Sequence, residues 1–266
     1  MNDELNLLKS YINLKIGVVG VGTMGTDISL AFENYISELQ QKLNLNLVNT
    51  KNIFYFSDSG KDHIKKDKFK KMGFTNFTSN ENLFKNVSII LIAVKPDIVE
   101  SVLVQCKHLI TENKIIVSIA SGIPIILLET YIANPKAKII RVNLNALCSI
   151  RESSSVYCVN SNINEIDEYL ITNLFKNVGI IEKINEKTFN TFSGYSGAGP
   201  AYVYVFVEAL IDGAIKKGIP YSIAKEFAIK TLLGACKLLS KNKDLHSMKY
   251  QIASPGGAYN CRYKCT

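Results

Sequence analysis

The sequence predicts an α/β domain followed by an all-α domain, and three observations carry that reading. Near the N-terminus a β-branched run, Ile16 to Val19, stops at Gly20-x-Gly22-x-x-Gly25 and gives way to apolar residues at helical spacing. From Asn86 to Tyr131 continuous apolar runs alternate with helical stretches, the pattern of βαβ units and a parallel sheet. From about residue 185 strand patterns cease and only helical ones remain. The organisation expected is a lead-in over 1–14, an α/β domain over 15–184 and a helical domain over 185–266.

The glycine stretch sets the chemistry of the first domain. Ile28, Phe32, Tyr35, Leu39 and Leu43 place one apolar helix face directly after it. Strand, glycine turn and helix in that order are the context of a Rossmann dinucleotide site. Gly20 permits the tight turn, Gly22 has no side chain to hold a diphosphate off the backbone, and Gly25 allows close packing. The helix N-terminus adds free N–H groups and a partial positive charge.

The remaining elements follow in order. Residues 1–14 are expected to be a short helix, and Asn44 to Asn52 an asparagine-rich loop. Ile53 to Phe56 is the second strand, and its end is where such a domain reads the coenzyme ribose. Asp58 there points to NAD, whereas Ser57, Ser59 and Lys61 point to NADP, and both stay open. Val87 to Val94 reads as a strand buried on both faces, ending in Lys95-Pro96 at the crevice where ligands bind. Ile115 to Ala120, Lys138 to Val142, Val156 to Val159 and Val178 to Glu182 complete the strands.

Ser196-Gly197-Ala198-Gly199-Pro200 leads into a helix over 201–217 that closes with Lys216-Lys217-Gly218-Ile219-Pro220. Its middle, AYVYVFVEALIDGAI, is apolar nearly all round, so it must be buried on more than one side. Another subunit is the simplest second side. Ser222 is expected to cap the next helix, which runs to about Leu239; a polar linker, Ser240 to Lys249, and the turn Ser254-Pro255-Gly256-Gly257 follow.

Composition narrows the classes. The 266 residues, 47% of them hydrophobic, can bury a substantial core. No run of about 18 apolar residues predicts a membrane span, and the acidic start Met1-Asn-Asp-Glu-Leu predicts no secretory signal, so the cytoplasm is the expected location. The formal charge of +8 is spread over scattered lysines, and the one dense run, Lys61 to Lys71, is broken by acids and is accompanied by no aromatic-basic recognition motif. Nucleic acid is therefore not an expected partner, while a polyanionic coenzyme suits the charge. Cys106, Cys148, Cys158 and Cys236 lie in apolar segments and read as small core residues. Cys261 and Cys265 have no second cluster, and His63, His108 and His246 are far apart, so neither a metal site nor a histidine triad is expected.

Together these pieces resemble the pyrroline-5-carboxylate reductases. IGVVGVGTM looks like that family's opening glycine motif and IAVKP at Ile92 to Pro96 like its AVKP. RVNLNALCSIRE at Arg141 to Glu152 is similar to its R-x-M-P/T-N-T-P…G stretch. SGYSGAGPAYVY at Ser193 to Tyr204, GIPYSIAKEFAIKTLLGACKLL at Gly218 to Leu239 and SPGG at Ser254 to Gly257 follow its three later motifs. The resemblance implies a Rossmann domain, a helical domain interlocking two chains or more, and NAD(P)H-dependent reduction of (S)-1-pyrroline-5-carboxylate to L-proline, the last step of proline biosynthesis. The family pattern favours NADPH, though members also use NADH.

Carried over by position, Val19, Gly20, Val21, Gly22, Thr23 and Met24 would hold the diphosphate. Ser57 and Ser59 would meet the adenosine ribose or its phosphate, and Asn80 and Gln251 the coenzyme. Ala93, Val94, Lys95 and Pro96 would line the nicotinamide side, with Ile119, Ala120 and Ser121 nearby. Backbone N–H groups at Gly256, Gly257 and Ala258 would bind the substrate carboxylate, Lys95, Ser193 and Ser196 would give polar support, and the Tyr259 hydroxyl would face the substrate. No metal is implied.

Departures from the pattern set further expectations. Tyr259 stands where the family has threonine, Gln251 where it has asparagine, and Leu144, Ala146 and Leu147 flank Asn145 in place of Pro/Thr, Thr and Pro. After SPGG the family continues into two more helices, whereas this sequence reads AYNCRYKCT, so a short or divergent C-terminus and weaker dimerisation or activity are expected. The alternatives are a catalytically impaired NADP-binding paralogue, and a two-domain oxidoreductase of the β-hydroxyacid dehydrogenase type. The latter lacks its expected helix lysine in SGAGPAYVY.

Overall fold

The computed structural model describes residues 2–45, 47–58, 63–241 and 244–252. They form two compact units, Met1–Pro200 and a second beginning at Ala201. In the first unit the order is α1 (Asn2–Leu14), β1 (Ile16–Val19), α2 (Thr23–Lys42), β2 (Phe54–Ser57), α3 (His63–Lys71), α4 (Asn80–Asn86), β3 (Ile89–Ile92), α5 (Pro96–Cys106), β4 (Ile115–Ser118), α6 (Ile125–Ile132), β5 (Lys138–Asn143), β6 (Ser153–Val159), α7 (Glu165–Phe175), β7 (Gly179–Lys183) and α8 (Phe189–Phe192).

The strands make one seven-stranded sheet in the order β2-β1-β3-β4-β5-β6-β7. β2, β1, β3, β4 and β5 are parallel, β6 is antiparallel to β5, and β7 is parallel to β6. The chain leaves β1 to one side for β2 and crosses to the other for β3, so the switch point of the sheet lies at the end of β1. All four positions of β1, β3 and β4 are buried, as a sheet covered on both faces requires. Only the short turn Ala146–Ile150 joins β5 to β6, too little chain for a parallel crossover, and the antiparallel pairing follows.

The expected lead-in helix is α1. Tyr11 is fully buried, and its hydroxyl donates to the Leu170 carbonyl at 2.8 Å, so the helix is anchored through the core to α7. In α2, Ile28, Phe32 and Leu39 are buried, with Tyr35 and Leu43 partly so, as their spacing predicts. β2 begins one residue later than expected, because Thr50–Ile53 closes a 3-10 turn capped by Asn49. Ser57 therefore lies on the strand itself. Phe56 stacks on Phe77 at 5.3 Å and meets Phe69 and Phe74 edge-on, at 5.0 and 5.3 Å. This aromatic cluster fixes segment 74–78 beside β2, and the Phe56 N–H and carbonyl bond to Asn76 and Thr78.

The second unit is helical: α9 (Gly199–Ile215), α10 (Tyr221–Lys241) and α11 (Leu245–Ile252). Its small core joins Ile211, Ala224 and Ala228, with Val207 and Ala214 against it. Three details differ from expectation. α10 starts at Tyr221, and the Pro220 carbonyl accepts from the Ala224 N–H, so Ser222 lies inside the first turn rather than capping it. The stretch 240–249, polar in sequence, holds the end of α10 and the start of α11, because Asp244 accepts from the N–H groups of His246 and Ser247 and nucleates a helix. Cys236 is exposed, not buried, since its helix is largely uncovered in a single chain.

Candidate functional site

The turn after β1 is built as the glycine spacing requires. Gly20 has φ +98°, and a Cβ there would lie 2.7 Å from the Ala93 carbonyl oxygen. Its N–H donates to the Ser57 carbonyl, and the Ala93 N–H to the Val19 carbonyl, both at 2.8 Å, so the ends of β1, β2 and β3 are drawn together. A Cβ on Gly25 would come within 2.2 Å of the Gly20 carbonyl oxygen. That residue thus lets α2 close against the turn itself. Gly22 is the N-cap of α2, offers no side chain to the first turn, and would meet nothing within 4 Å if a Cβ were added. The space a diphosphate needs is therefore open at a helix N-terminus, and the residues present fit a dinucleotide. Val21 is buried beneath the turn, and the Met24 sulfur lies 3.8 Å from the Cys148 thiol.

At the end of β2, the Ser57 hydroxyl donates to Asn80 Oδ1 at 2.5 Å, and Asn80 Nδ2 donates to Gln105 Oε1 at 3.2 Å. Asn80 opens α4, whose N-cap is Ser79. The residues expected to read the ribose side are thus joined, with Gln105 of α5 behind them. Sequence reasoning missed Gln105, because nothing in a helical glutamine signals a partner 25 positions away.

At the next strand ends, Ala93 and Val94 are half-buried, and Lys95 is the exposed N-cap of α5 with Pro96 in its first turn. The Ile119 N–H donates to the Ile92 carbonyl, so the residues after β4 continue alongside β3. Ala120 is buried and Ser121 exposed.

β5 carries a polar seam. Arg141, 2% exposed, donates from Nη1 to Glu186 Oε1 at 3.1 Å and from Nη2 to Asn190 Oδ1 at 3.3 Å, and lies over the Phe189 ring at 3.9 Å. Asn143 Nδ2 donates to Ser193 Oγ at 2.9 Å, and Asn145 Nδ2 to the Ser196 carbonyl at 3.1 Å. Alternate residues along one strand direction thus hold segment 186–197. Its last part is a π-helical turn, Ser193–Gly197, that carries both candidate serines. The Ser196 hydroxyl donates to the Ser154 carbonyl at 2.8 Å, and Ser193 is half-buried.

Ser59, Lys61, Gly256, Gly257, Ala258 and Tyr259, together with the Gln251 side chain, Cys261, Cys265 and the divergent C-terminal stretch, lie outside the described residues. Among the described residues no group of three or more His, Cys, Asp or Glu side chains is placed to hold a metal. Burial pushes the thiols of Cys106 and Cys148 up to about 11 and that of Cys158 to about 12. They stay protonated and act as packing groups.

Comparison with known proteins agrees with this geometry. Residues 186–260 match the family model described as pyrroline-5-carboxylate reductase dimerisation, and residues 15–122 that described as NADP oxidoreductase coenzyme F420-dependent. The pyrroline-5-carboxylate reductase of Arabidopsis thaliana is 34% identical over 194 residues, 73% of this chain and 70% of that protein. That of Pisum sativum is 34% identical over 190 residues, 71% of this chain and 69% of its own. The crystal structure of Plasmodium falciparum pyrroline carboxylate reductase with NADP bound has a TM-score of 0.79 at 31% identity, covering 96% of this chain and 89% of that one. Stretch Glu186–Ile215 contains an 18-residue window of mean hydropathy 1.3, long and apolar enough by composition to cross a membrane. It falls within the dimerisation match, which accounts for its character by a partner chain instead. The relatives, the family match and the shared fold agree, and the chain belongs to the pyrroline-5-carboxylate reductase family.

Proposed function

We propose that this protein reduces (S)-1-pyrroline-5-carboxylate to L-proline with NAD(P)H, as a homodimer or a larger assembly of such pairs. The observation that carries the reading is the open space over Gly22 at the N-terminus of α2, beside the strand ends that carry Ala93 to Pro96. A bound NADPH or NADH supplies the hydride that the ring C=N carbon accepts. The residues of the chain have the simpler task of holding two rings in register and supporting the nitrogen as its charge changes.

In this reading Val19 to Met24 hold the diphosphate through backbone N–H groups, and Ser57, Asn80 and Ser59 meet the ribose side. Ala93, Val94, Pro96, Ile119, Ala120 and Ser121 border the nicotinamide. Ser193 supports the imine nitrogen by a hydrogen bond, while Lys95, exposed at the head of α5, adds positive charge toward the anionic substrate. Ser196 lines the substrate side, where its oxygen can still accept a bond. Backbone N–H groups of Gly256, Gly257 and Ala258 receive the carboxylate, the Tyr259 hydroxyl faces the substrate, and Gln251 reaches the coenzyme. The free thiols Cys106, Cys148 and Cys158 suit a reducing compartment, and we place the protein in the cytoplasm.

The test is coenzyme oxidation by the purified chain with pyrroline-5-carboxylate. Turnover with NADPH or NADH, with L-proline as product, is the expected result. Coenzyme binding without turnover overturns the assigned reaction and leaves a binding protein.

A further inference from the structure

Among the described residues, two polar atoms near the end of β5 are buried with no hydrogen-bond partner, Arg141 Nε and Asn143 Oδ1. The second belongs to the side chain that donates to Ser193. A hydroxyl has one proton to give and lone pairs to receive. The Asn143 N–H occupies one lone pair of Ser193 and leaves its proton to be given elsewhere. Within the chain that proton points to the Phe189 carbonyl at 3.3 Å, long for an O–H···O bond, and easily exchanged for a better acceptor.

We propose that Asn143 is a positioning residue for the reaction: its amide N–H holds the Ser193 hydroxyl so that the proton is presented to the in-plane lone pair of the imine nitrogen. As the C=N carbon takes up hydride, the electron pair of that bond collects on nitrogen. The Ser193 hydrogen bond stabilises it there, and solvent supplies the proton that completes the amine. The inference rests on the assignment of Ser193 made above.

Two features favour this role over a purely structural one. The neighbouring rungs, Arg141 to Glu186 and Asn190, and Asn145 to the Ser196 carbonyl, already hold segment 186–197 on the strand. Asn143 is not needed for that. Its unpartnered carbonyl oxygen is a standing cost, which an apolar side chain of the same size would remove.

The experiment is a double-mutant cycle on the full chain, with kcat, KM for both substrates and melting temperature measured for Ser193→Ala, Asn143→Leu and the pair. Asn143→Ala serves if the leucine variant does not fold. Each single change is expected to lower kcat about tenfold with coenzyme KM within about twofold, and the double variant to be no slower than either. An Asn143 variant at the wild-type rate, or single losses that multiply in the double variant, overturns the proposal while leaving Ser193 in place. Full activity in Ser193→Ala overturns the Ser193 assignment and Asn143's role with it. A wild-type chain that does not reduce the imine overturns the assigned reaction, which is a separate failure.

Discussion

The hydroxyl of Ser57, the last residue of β2, donates to Oδ1 of Asn80, the first residue of α4, at 2.5 Å. The two are 23 positions apart, brought together because the phenylalanine cluster lays segment 74–78 along β2. Gln105 takes the other half of the Asn80 amide, so its orientation is fixed before any ligand arrives. Removing that amide frees Ser57 to rotate at the place proposed for the coenzyme ribose. Asn80→Ala should raise KM for NADPH about fivefold, the equivalent of losing one hydrogen bond of about 1 kcal/mol, with kcat within about twofold. Steady-state kinetics with either substrate saturating checks it, and an unchanged coenzyme KM counts against Asn80 as a contact.

The glycines of the turn separate folding from binding. Gly20→Ala forces a methyl into the Ala93 carbonyl at a backbone angle that alanine rarely adopts, and should destabilise the protein by about 2 kcal/mol or more. Gly22→Ala places its methyl in open space with φ −75° and strains nothing. Its melting temperature should fall by no more than about 3 °C, since alanine is a poorer N-cap than glycine by about 1 kcal/mol or less. Its affinity for NADPH should fall tenfold or more, because the methyl enters the open space proposed for the diphosphate. Thermal melts together with coenzyme titration distinguish the two, and a Gly22→Ala variant that binds normally would sink the diphosphate assignment.

Arg141 contributes to stability. It is buried, spans Glu186 and Asn190 with one guanidinium and stacks on Phe189, while Glu186 also accepts from the Ile125 N–H at 2.8 Å. Arg141→Leu leaves that carboxylate without its cation. Because Glu186 keeps about a third of its surface in water, the loss should be nearer 2 kcal/mol than the 3–5 typical of fully buried pairs. Arg141→Lys should rescue little, since an ammonium cannot bridge two acceptors and stack at once. Chemical denaturation of both variants measures it.

What could be read from the sequence follows from which forces act locally. The β-branched runs and the glycine spacing gave β1, β3 and β4 to within a residue or two, because burial on both faces leaves a continuous apolar signature. The geometry of the candidate site was legible where one short motif holds all the parts of a turn, as at Gly20 to Gly25. It was not where a contact spans distant segments. Asn143 and Gln105 are ordinary polar residues in sequence, and only the packing of segment 186–197 and of α4 onto the sheet gives them partners. The start of α11 was lost for another reason: Asp244 opens a helix that a polar count reads as a linker.

Glu168 gives the protein a pH signature. Burial alone would raise its carboxyl, but Lys183 at 2.6 Å and the Tyr157 hydroxyl at 2.6 Å outweigh that and hold it below the ordinary value of 4.5. A carboxylate with a lowered folded-state value stabilises the fold above its unfolded value and loses that contribution as pH falls through the folded one. The melting temperature should therefore drop between pH 6 and pH 3, and drop less in Glu168→Gln. The pair is partly exposed, so the difference should be small, about 1–2 °C. Equal slopes for the two proteins would show that Glu168 contributes nothing in acid.

Assembly depends on the apolar surface of α9. On α9, Tyr204, Val205 and Phe206 are 64, 65 and 53% exposed in the single chain, and Val203 and Leu210 are exposed with them. Consecutive apolar side chains cannot all face one helix, so a partner must wrap this one from more than one side. An aspartate introduced there has to be carried out of water by dimerisation, at a cost of several kcal/mol. Phe206→Asp should therefore shift the wild-type dimer toward monomer at micromolar concentration in sedimentation velocity. Lys216→Ala, beyond the end of α9, should leave the dimer intact. Dimers of equal strength in both variants would mean that the exposed face of α9 is not where two chains meet.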